Sequence, residues 1–389
     1  MRKKRESSSK EETIMVLAPE DAKTEIESLS ERGEKAEKRT AVEVVGSEKR
    51  VGEDRESLVE ISEILRDVDR LTVEMYDVRI AEAKSPEEMQ EILKDMNALL
   101  ELREAEPCKP PCKHIDDLGD KEELGHANQV YLLRLVERGR ELTGIYKPVK
   151  GEWVEVRNKK RVARVGIKDF SFYQREWLAF MVDRALDLDV VPPTVLRDED
   201  EGLGSVQSFI EDADPAVKVP ERQKNPEDLI KVALLHKLTG QQDGNFGNIL
   251  VGRGPKGETY AIDNGLSFGA ALYDTTGKEV FPALHVFSKA LGEAKDISIA
   301  VQAPLLEIHL RKFFDSPQRQ EALKRAFNFV LGNDSEGVWG TFIKTAKYLL
   351  ERGQLPRDYD VDAAKILVKY GSGQEYFGAT TKREMAEAA

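Results

Sequence analysis

The chain lacks long apolar runs, has few cysteines and is short of positive charge, and each shortage closes off a class of protein. No stretch approaches the roughly 20 apolar residues that a membrane-crossing helix needs. The N-terminus has no apolar run of the kind that directs secretion. The expectation is therefore a cytoplasmic chain without a transmembrane segment. Only Cys108 and Cys112 are present, flanking Lys109-Pro110-Pro111 with His114 just beyond. Structural zinc takes four protein ligands, and no second cysteine pair exists, so these are read as reduced thiols, with a local disulfide if the chain meets an oxidant. Lys and Arg total 59 against 72 Asp and Glu, a formal net charge of −13. Phosphate backbones demand a positive field, so nucleic acid is not an expected partner. A basic cluster at Arg157-Asn158-Lys159-Lys160-Arg161 and Arg164 reads as a solvated hairpin, or as a face for an anionic substrate or headgroup.

What is present suggests a helical preamble followed by a mixed domain. With 389 residues and 40% hydrophobic content, the chain can bury a two-lobed core and carry an accessory segment. Residues 1–55 are rich in Ser, Glu and Lys, a composition that buries too little apolar area to offset ordering entropy, and disorder is expected there. Leu58, Ile61, Leu65, Val68, Leu71 and Met75 follow three-and-four spacing and predict a helix over 56–83. Ser85-Pro86-Glu87-Glu88 then offers a capping Ser, a Pro at the first helical position and a Glu at the third. A second helix follows through Met89, Ile92, Leu93, Met96 and Leu100, so 56–115 reads as a helical hairpin. Its apolar stripe suits docking on the rest of the chain, or self-association or a protein partner through 56–104.

Further on, Tyr131–Leu135 and Thr143–Pro148 read as paired strands around the turn Glu137–Arg140. Phe172–Leu186 repeats apolar residues at helical spacing, with Glu176 in its first turns. Val190–Leu196 and Gly204–Glu211 read as strands separated by the acidic turn Asp198–Glu201. A helix over 229–238 ends at Thr239-Gly240, strands at 249–251 and 260–262 follow, and helices are predicted over 305–314, 321–331, 340–352 and 361–370.

On that frame sit residues able to do phosphate chemistry. Asn248 lies five positions after Asp243, and Asp263-Asn264-Gly265 follows the next hairpin. An Asp, an Asn at plus five and a second Asp beyond form the acceptor and metal constellation of a kinase site. One carboxylate orients the attacking group, an amide oxygen holds magnesium, and the second carboxylate bridges metal to phosphate. Alone, Asp-Asn-Gly reads more readily as a tight turn, and the order and context of the segments favour the site. Lys147, at a strand end, could reach nucleotide phosphates, and Glu176 is the expected acidic partner that holds it. A carboxylate there also favours the helix N-terminus through the dipole.

These pieces together, from about Gly125 to Phe268, resemble the bacterial phosphatidylinositol 3- and 4-kinase-like domains of the atypical kinase superfamily. The resemblance rests on Tyr146-Lys147-Pro148, Arg175-Glu176, Val191–Asp198, Ser205–Glu211, Asp243 with Asn248, and Ile262–Phe268. It implies an α+β, two-lobed protein-kinase-like fold, with an N-lobe over 116–212 and a helical C-lobe over 213–389. It implies ATP and Mg2+ as cofactors, Asp243, Lys147 and Glu176 as catalytic residues, and Asn248 and Asp263 as metal ligands. Gly125 and Asn128 would lie in the phosphate-covering loop, and Gln207, Ser208, Phe209 and Ile210 in the hinge that meets adenine. The acceptor hydroxyl, on a protein, lipid or metabolite, is left open. One departure bears on activity: where many relatives follow the catalytic Asp with Arg-His, this chain has Gly244 and Asn245. Asn replaces some hydrogen bonds of a neutral imidazole but cannot titrate. A nucleotide-binding pseudokinase and a protein nucleotidyltransferase therefore remain alternatives.

Overall fold

The computed structural model describes residues 55–107, 113–114, 129–137, 139–152, 167–168, 170–254, 257–269, 272–273, 279–281, 288–294 and 296–355. Nearly all of the polar 1–55 segment, Cys108 and Cys112, Gly125 and Asn128, the basic cluster at 157–164 and the predicted 361–370 helix lie outside the described residues.

The N-terminal hairpin forms where its spacing places it, as α1 (Arg55–Glu82) and α2 (Pro86–Glu104). Ser85 Oγ accepts the Glu88 amide at 3.1 Å, and the Glu88 carboxylate reaches back to the Lys84 amide at 2.9 Å, so a reciprocal cap starts α2. The buried stripe of α1 is Val68, Leu71, Met75, Tyr76 and Ile80, and that of α2 is Ile92, Leu93, Met96, Leu99 and Leu102. Both stripes face the rest of the molecule. Arg197 locks the end of α2 by donating to the carbonyls of Leu102 and Arg103 at 2.7 Å and of Ala105 at 2.9 Å.

A curled antiparallel sheet follows. Its strands are β1 (Glu106–Pro107), β2 (Lys113–His114), β3 (Tyr131–Glu137), β4 (Arg140–Pro148), β5 (Thr194–Glu199) and β6 (Gly202–Ser208). The order is β1-β3-β4-β6-β5, with β2 also paired to β3. β5 begins at Thr194 rather than at Val190 because Pro192 and Pro193 have no amide hydrogen for a ladder. The Val190 and Val191 amides instead donate to Asp183 Oδ1 at 2.9 and 3.1 Å. β6 begins two residues earlier than the sequence suggests, since Glu199 pairs with Gly202 and the turn shrinks to Asp200-Glu201. Gly202 meets that tight return with φ +97°, a conformation that glycine adopts without steric cost.

The helix α3 (Phe172–Ala185) carries Glu176 and is buried along almost its whole length. It packs against α1, β5, β6 and α7 (Pro317–Leu331). The remaining helices are α4 (Pro226–Thr239), α5 (Lys289–Ala294), α6 (Ile299–Phe314) and α8 (Ser335–Arg352). A three-stranded sheet ordered β7 (Ala213–Pro215), β8 (Ile249–Gly252), β9 (Thr259–Ala261) takes β7 from before α4 and β8 and β9 from after it, and the pair β10 (Leu272–Tyr273) and β11 (Glu279–Phe281) precedes α5. The architecture is α+β. Its buried apolar residues form one cluster from Val68 to Leu355, so the hairpin shares the core of the sheet and the later helices. Among the described residues, no helix is long and apolar enough to cross a membrane.

Candidate active site

Three segments far apart in sequence meet at the end of β4. Lys147 pairs with Ser205 in β6, and Gly204 lies opposite Pro148. A Cβ at Gly204 would come within 2.4 Å of the Lys147 carbonyl oxygen, so only glycine lets the strands approach where Lys147 turns inward. Lys147 Nζ donates to Glu176 Oε1 at 2.6 Å and to Asp263 Oδ1 at 2.8 Å. Burial alone would depress the Lys147 ammonium, but the Asp263 and Glu176 carboxylates raise it well above its ordinary range, so it stays charged. Burial raises the Glu176 carboxyl, the Lys147 ammonium opposes that shift, and Asp263 adds to it.

Helix α3 also grips the Asp263 turn directly. Glu176 Oε2 accepts the Asn264 amide at 2.8 Å, and Arg175 Nη1 donates to the carbonyls of Ser267 and Phe268 at 2.7 Å. A Cβ on Gly265 would sit 2.9 Å from Phe172 Cβ, which accounts for glycine at this approach. Asp263 itself has φ +56°, so its carboxylate leaves the chain in the left-handed conformation that Asp tolerates better than most residues. Its side chain is 41% exposed, against 4% for Glu176 and 16% for Lys147. Asp263 therefore forms the solvent-facing edge of the cluster.

The loop after α4 supplies the other half. Gly240 ends the helix at φ +64°, and the chain turns through Gln241 into Asp243. Gln241, wholly buried, donates from Nε2 to the Asp263 carbonyl at 3.1 Å and accepts the Asp243 amide on Oε1 at 3.0 Å, tying the two acidic segments together. Asn245 Nδ2 donates to Asp243 Oδ1 at 2.8 Å, and Asn248 Nδ2 to the Asp243 carbonyl at 2.8 Å and to Oδ2 at 3.3 Å. Asn245 Oδ1 also accepts the Gly247 amide at 2.7 Å and closes the loop. Burial, followed by the Asp263 charge, lifts the Asp243 carboxyl to about 6, against the pull of the Asn245 and Asn248 hydrogen bonds. Beneath the loop, the Gly244 carbonyl accepts the Lys289 amide at 2.7 Å. His236 sits nearby on Ser288 Oγ at 2.8 Å, and burial pushes its imidazole down to about 3.

No family model matches the chain, and none of the curated proteins matches it. Among solved structures, the crystal structure of a Helicobacter pylori proinflammatory kinase, CtkA, is similar over 66% of this chain and 96% of that chain, at 10% identity and a TM-score of 0.33.

The geometry of the site brings Lys147, Glu176 and Asp263 into direct contact, and Asp243 and Asn248 into contact with each other. The expected hinge is partly committed elsewhere. Ser208 donates its amide to the Pro193 carbonyl at 2.8 Å and Phe209 to the Thr143 carbonyl at 3.0 Å, while Gln207 is buried with Nε2 on Thr194 Oγ1 at 2.9 Å. Gly125 and Asn128 lie outside the described residues. Arg175, Gln241 and Gly265 are site residues to which the sequence assigned no role. Arg175 and Gly265 lie inside the segments that carry the resemblance, whereas Gln241, whose partners lie across the fold, left no trace.

Among the described residues, no group of three or more His, Cys, Asp or Glu side chains gathers as a metal cage. Asp243, Asp263 and the Asn248 Oδ1 would nevertheless offer a cation only oxygen ligands, which suit Mg2+ better than zinc. That ion keeps several waters and takes only one or two carboxylates besides substrate phosphates. The raised Asp243 carboxyl, partly due to Asp263, is the repulsion that a cation between them would relieve.

Proposed function

We propose that this chain is an ATP- and magnesium-dependent phosphotransferase with a two-lobed kinase-like fold of the phosphatidylinositol 3- and 4-kinase-like kind, acting in the cytoplasm. The observation that carries this is the Lys147 ammonium held between Glu176 at 2.6 Å and Asp263 at 2.8 Å, with Gln241 joining the Asp263 turn to the Asp243 loop. Lys147 orients the nucleotide phosphates and Glu176 fixes Lys147. Asn248 and Asp263 would hold magnesium, which when bound neutralises phosphate charge. With Asn248 Nδ2 turned to Asp243, its Oδ1 is the atom left for that role. Asp243 aligns the acceptor hydroxyl: the acceptor oxygen bonds to the γ-phosphorus, the bridging bond to the β-phosphate breaks, and the hydroxyl proton passes to the Asp243 carboxylate as ADP leaves. A carboxyl near 6 is poised for that transfer at neutral pH. The Ile210 amide and the hinge carbonyls are the backbone groups proposed to meet adenine.

One observation favours a second reading. Both Asp243 oxygens already accept amide hydrogens, from Asn245 and Asn248, which suits a nucleotide-binding module with little or no transfer. ATP labelled separately at the α and γ phosphates decides. γ label appearing on a protein, lipid or small-molecule hydroxyl establishes a kinase, α label a nucleotidyltransferase, and no label with retained binding the pseudokinase.

A further inference from the structure

We infer that the N-terminal hairpin positions the Glu176 helix, with Thr72 and Asp95 as positioning residues that act through Trp177 and Arg184 to set the Lys147–Glu176 pair. The functional consequence rests on the phosphotransferase reading; the mechanical claim does not. Trp177 follows Glu176 directly in α3, and its indole Nε1 donates to Thr72 Oγ1 at 3.1 Å. The Thr72 hydroxyl itself donates to the Val68 carbonyl at 2.7 Å, which orients an oxygen lone pair toward the indole. Two turns later, Arg184 enters the same hairpin, with Nη2 on Asp95 Oδ1 at 2.9 Å and Nε on Asp95 Oδ2 at 2.6 Å. Tyr76 donates to Asp95 at 2.6 Å, and Arg79 spans Asp95 at 3.3 Å and Asp187, just past the end of α3, at 2.8 Å.

These bonds anchor α3 to the hairpin from the residue after Glu176 to the C-terminal end of the helix. The Arg184 and Arg79 side chains are 3% and 4% exposed, so each needs its carboxylates in place. Burial raises the Asp95 carboxyl, but the Arg184 cation and the Tyr76 hydroxyl outweigh it and hold it below its ordinary range. At the seam Trp177 is wholly buried, meets Phe329 edge-on at 5.9 Å between ring centroids, and lines a small cavity with Thr72, Tyr76, Met96 and Val195. The hydrogen bond to Thr72 ties its indole N–H to α1. On the site side, both Glu176 oxygens are engaged, at 2.6 Å by Lys147 and at 2.8 Å by Asn264, and a slide of α3 by an ångström would break both contacts.

The test uses the full chain and four variants of the same hairpin. Thr72→Val and Asp95→Asn cut contacts to α3, whereas Glu74→Gln and Glu101→Gln cut ion pairs to Arg325 in α7 and Arg140 in β4. Amide hydrogen exchange over 172–185, well below melting, should accelerate about 10-fold or more in the first two and stay near wild type in the others. KM for ATP should rise in the first two alone, and Thr72→Ser, which keeps the accepting hydroxyl, should restore both readouts. Unchanged α3 exchange in Thr72→Val and Asp95→Asn, or equal acceleration in all four, overturns the inference. A wild-type chain that binds no nucleotide would defeat the phosphotransferase reading, and the exchange comparison would still decide the clamp.

Discussion

Asp243 is where burial opposes the catalytic role proposed for it. Its carboxyl is raised from 3.8 to about 6, first by desolvation and then by Asp263. Proton acceptance needs the ionised form, so kcat/KM should climb as pH rises through about 6 and level off above it. A rate unchanged between pH 5 and pH 7.5 would remove Asp243 from the proton path. The same shift sets a stability cost. Because the folded pKa lies above the unfolded one, the folded state holds its proton longer. Stability therefore falls as pH rises from about 4 to about 6 and stays lower above that, by at most about 3 kcal/mol. Asp243→Asn should lose transfer yet raise stability at pH 7.5 by about 1–2 kcal/mol, and by nothing near pH 3.5. The gain is reduced because an amide offers only one acceptor to the Asn245 and Asn248 donors. Urea titrations at the two pH values read this directly, and a variant less stable than wild type at pH 7.5 would refute the strain. Lys147 and Glu176 act as one unit at the same scale. Lys147→Met and Glu176→Gln should each slow turnover by roughly 10²-fold, about 2.7 kcal/mol, and the double variant little more. Full additivity would show that they act independently.

Between elements, two glycines set how closely the site can close. A Cβ at Gly204 meets backbone atoms of Lys147 and Pro148 at 2.4 and 2.7 Å, and a Cβ at Gly265 meets Phe172 Cβ at 2.9 Å and Glu176 Oε1 at 3.5 Å. Gly204→Ala should cost about 2 kcal/mol or more by prising β4 from β6, and Gly265→Ala about 1–3 kcal/mol by pushing the Asp263 turn off α3. Both should weaken nucleotide binding. Gly254→Ala, where nothing lies within 4 Å, should do neither, and calorimetry with and without MgATP compares the three. At this scale the sequence was informative wherever structure is local. The three-and-four stripes marked α1 and α2, Ser85 marked the cap between them, and the β3–β4 hairpin followed its turn. It was silent where partners are distant or segments short. Periodicity tells that Trp177 is buried but not that Thr72, 105 positions away, receives its N–H. Gln241 looks like any polar residue after a helix, and strands of two or three residues such as β1, β7 and β10 leave no alternation to detect.

For the molecule as a whole, charge dictates how a nucleotide could bind. The chain carries a formal net charge of −13, and at the site the Asp243, Asp263 and Glu176 carboxylates outnumber the Lys147 ammonium. The order of Lys147, Glu176, Asp243, Asn248 and Asp263 along the chain was enough to nominate them. What sequence could not convey is that Lys147 is already neutralised by two carboxylates at 2.6 and 2.8 Å. A polyphosphate approaching this site meets repulsion unless a cation arrives with it, so binding should be obligatorily linked to magnesium. MgATP at about 100 times its dissociation constant should stabilise the fold by about 2.7 kcal/mol, a rise of several degrees in Tm. ATP with a chelator should give none of it, and magnesium alone little. Asp263→Ala changes the baseline, because Lys147 loses a partner, but the informative quantity is the increment. That increment should vanish if, as proposed, Asp263 holds the cation as well as the lysine that orients the phosphates. A full ATP shift in chelator, or an undiminished MgATP increment in Asp263→Ala, would mean that the nucleotide, if it binds at all, binds somewhere other than this cluster.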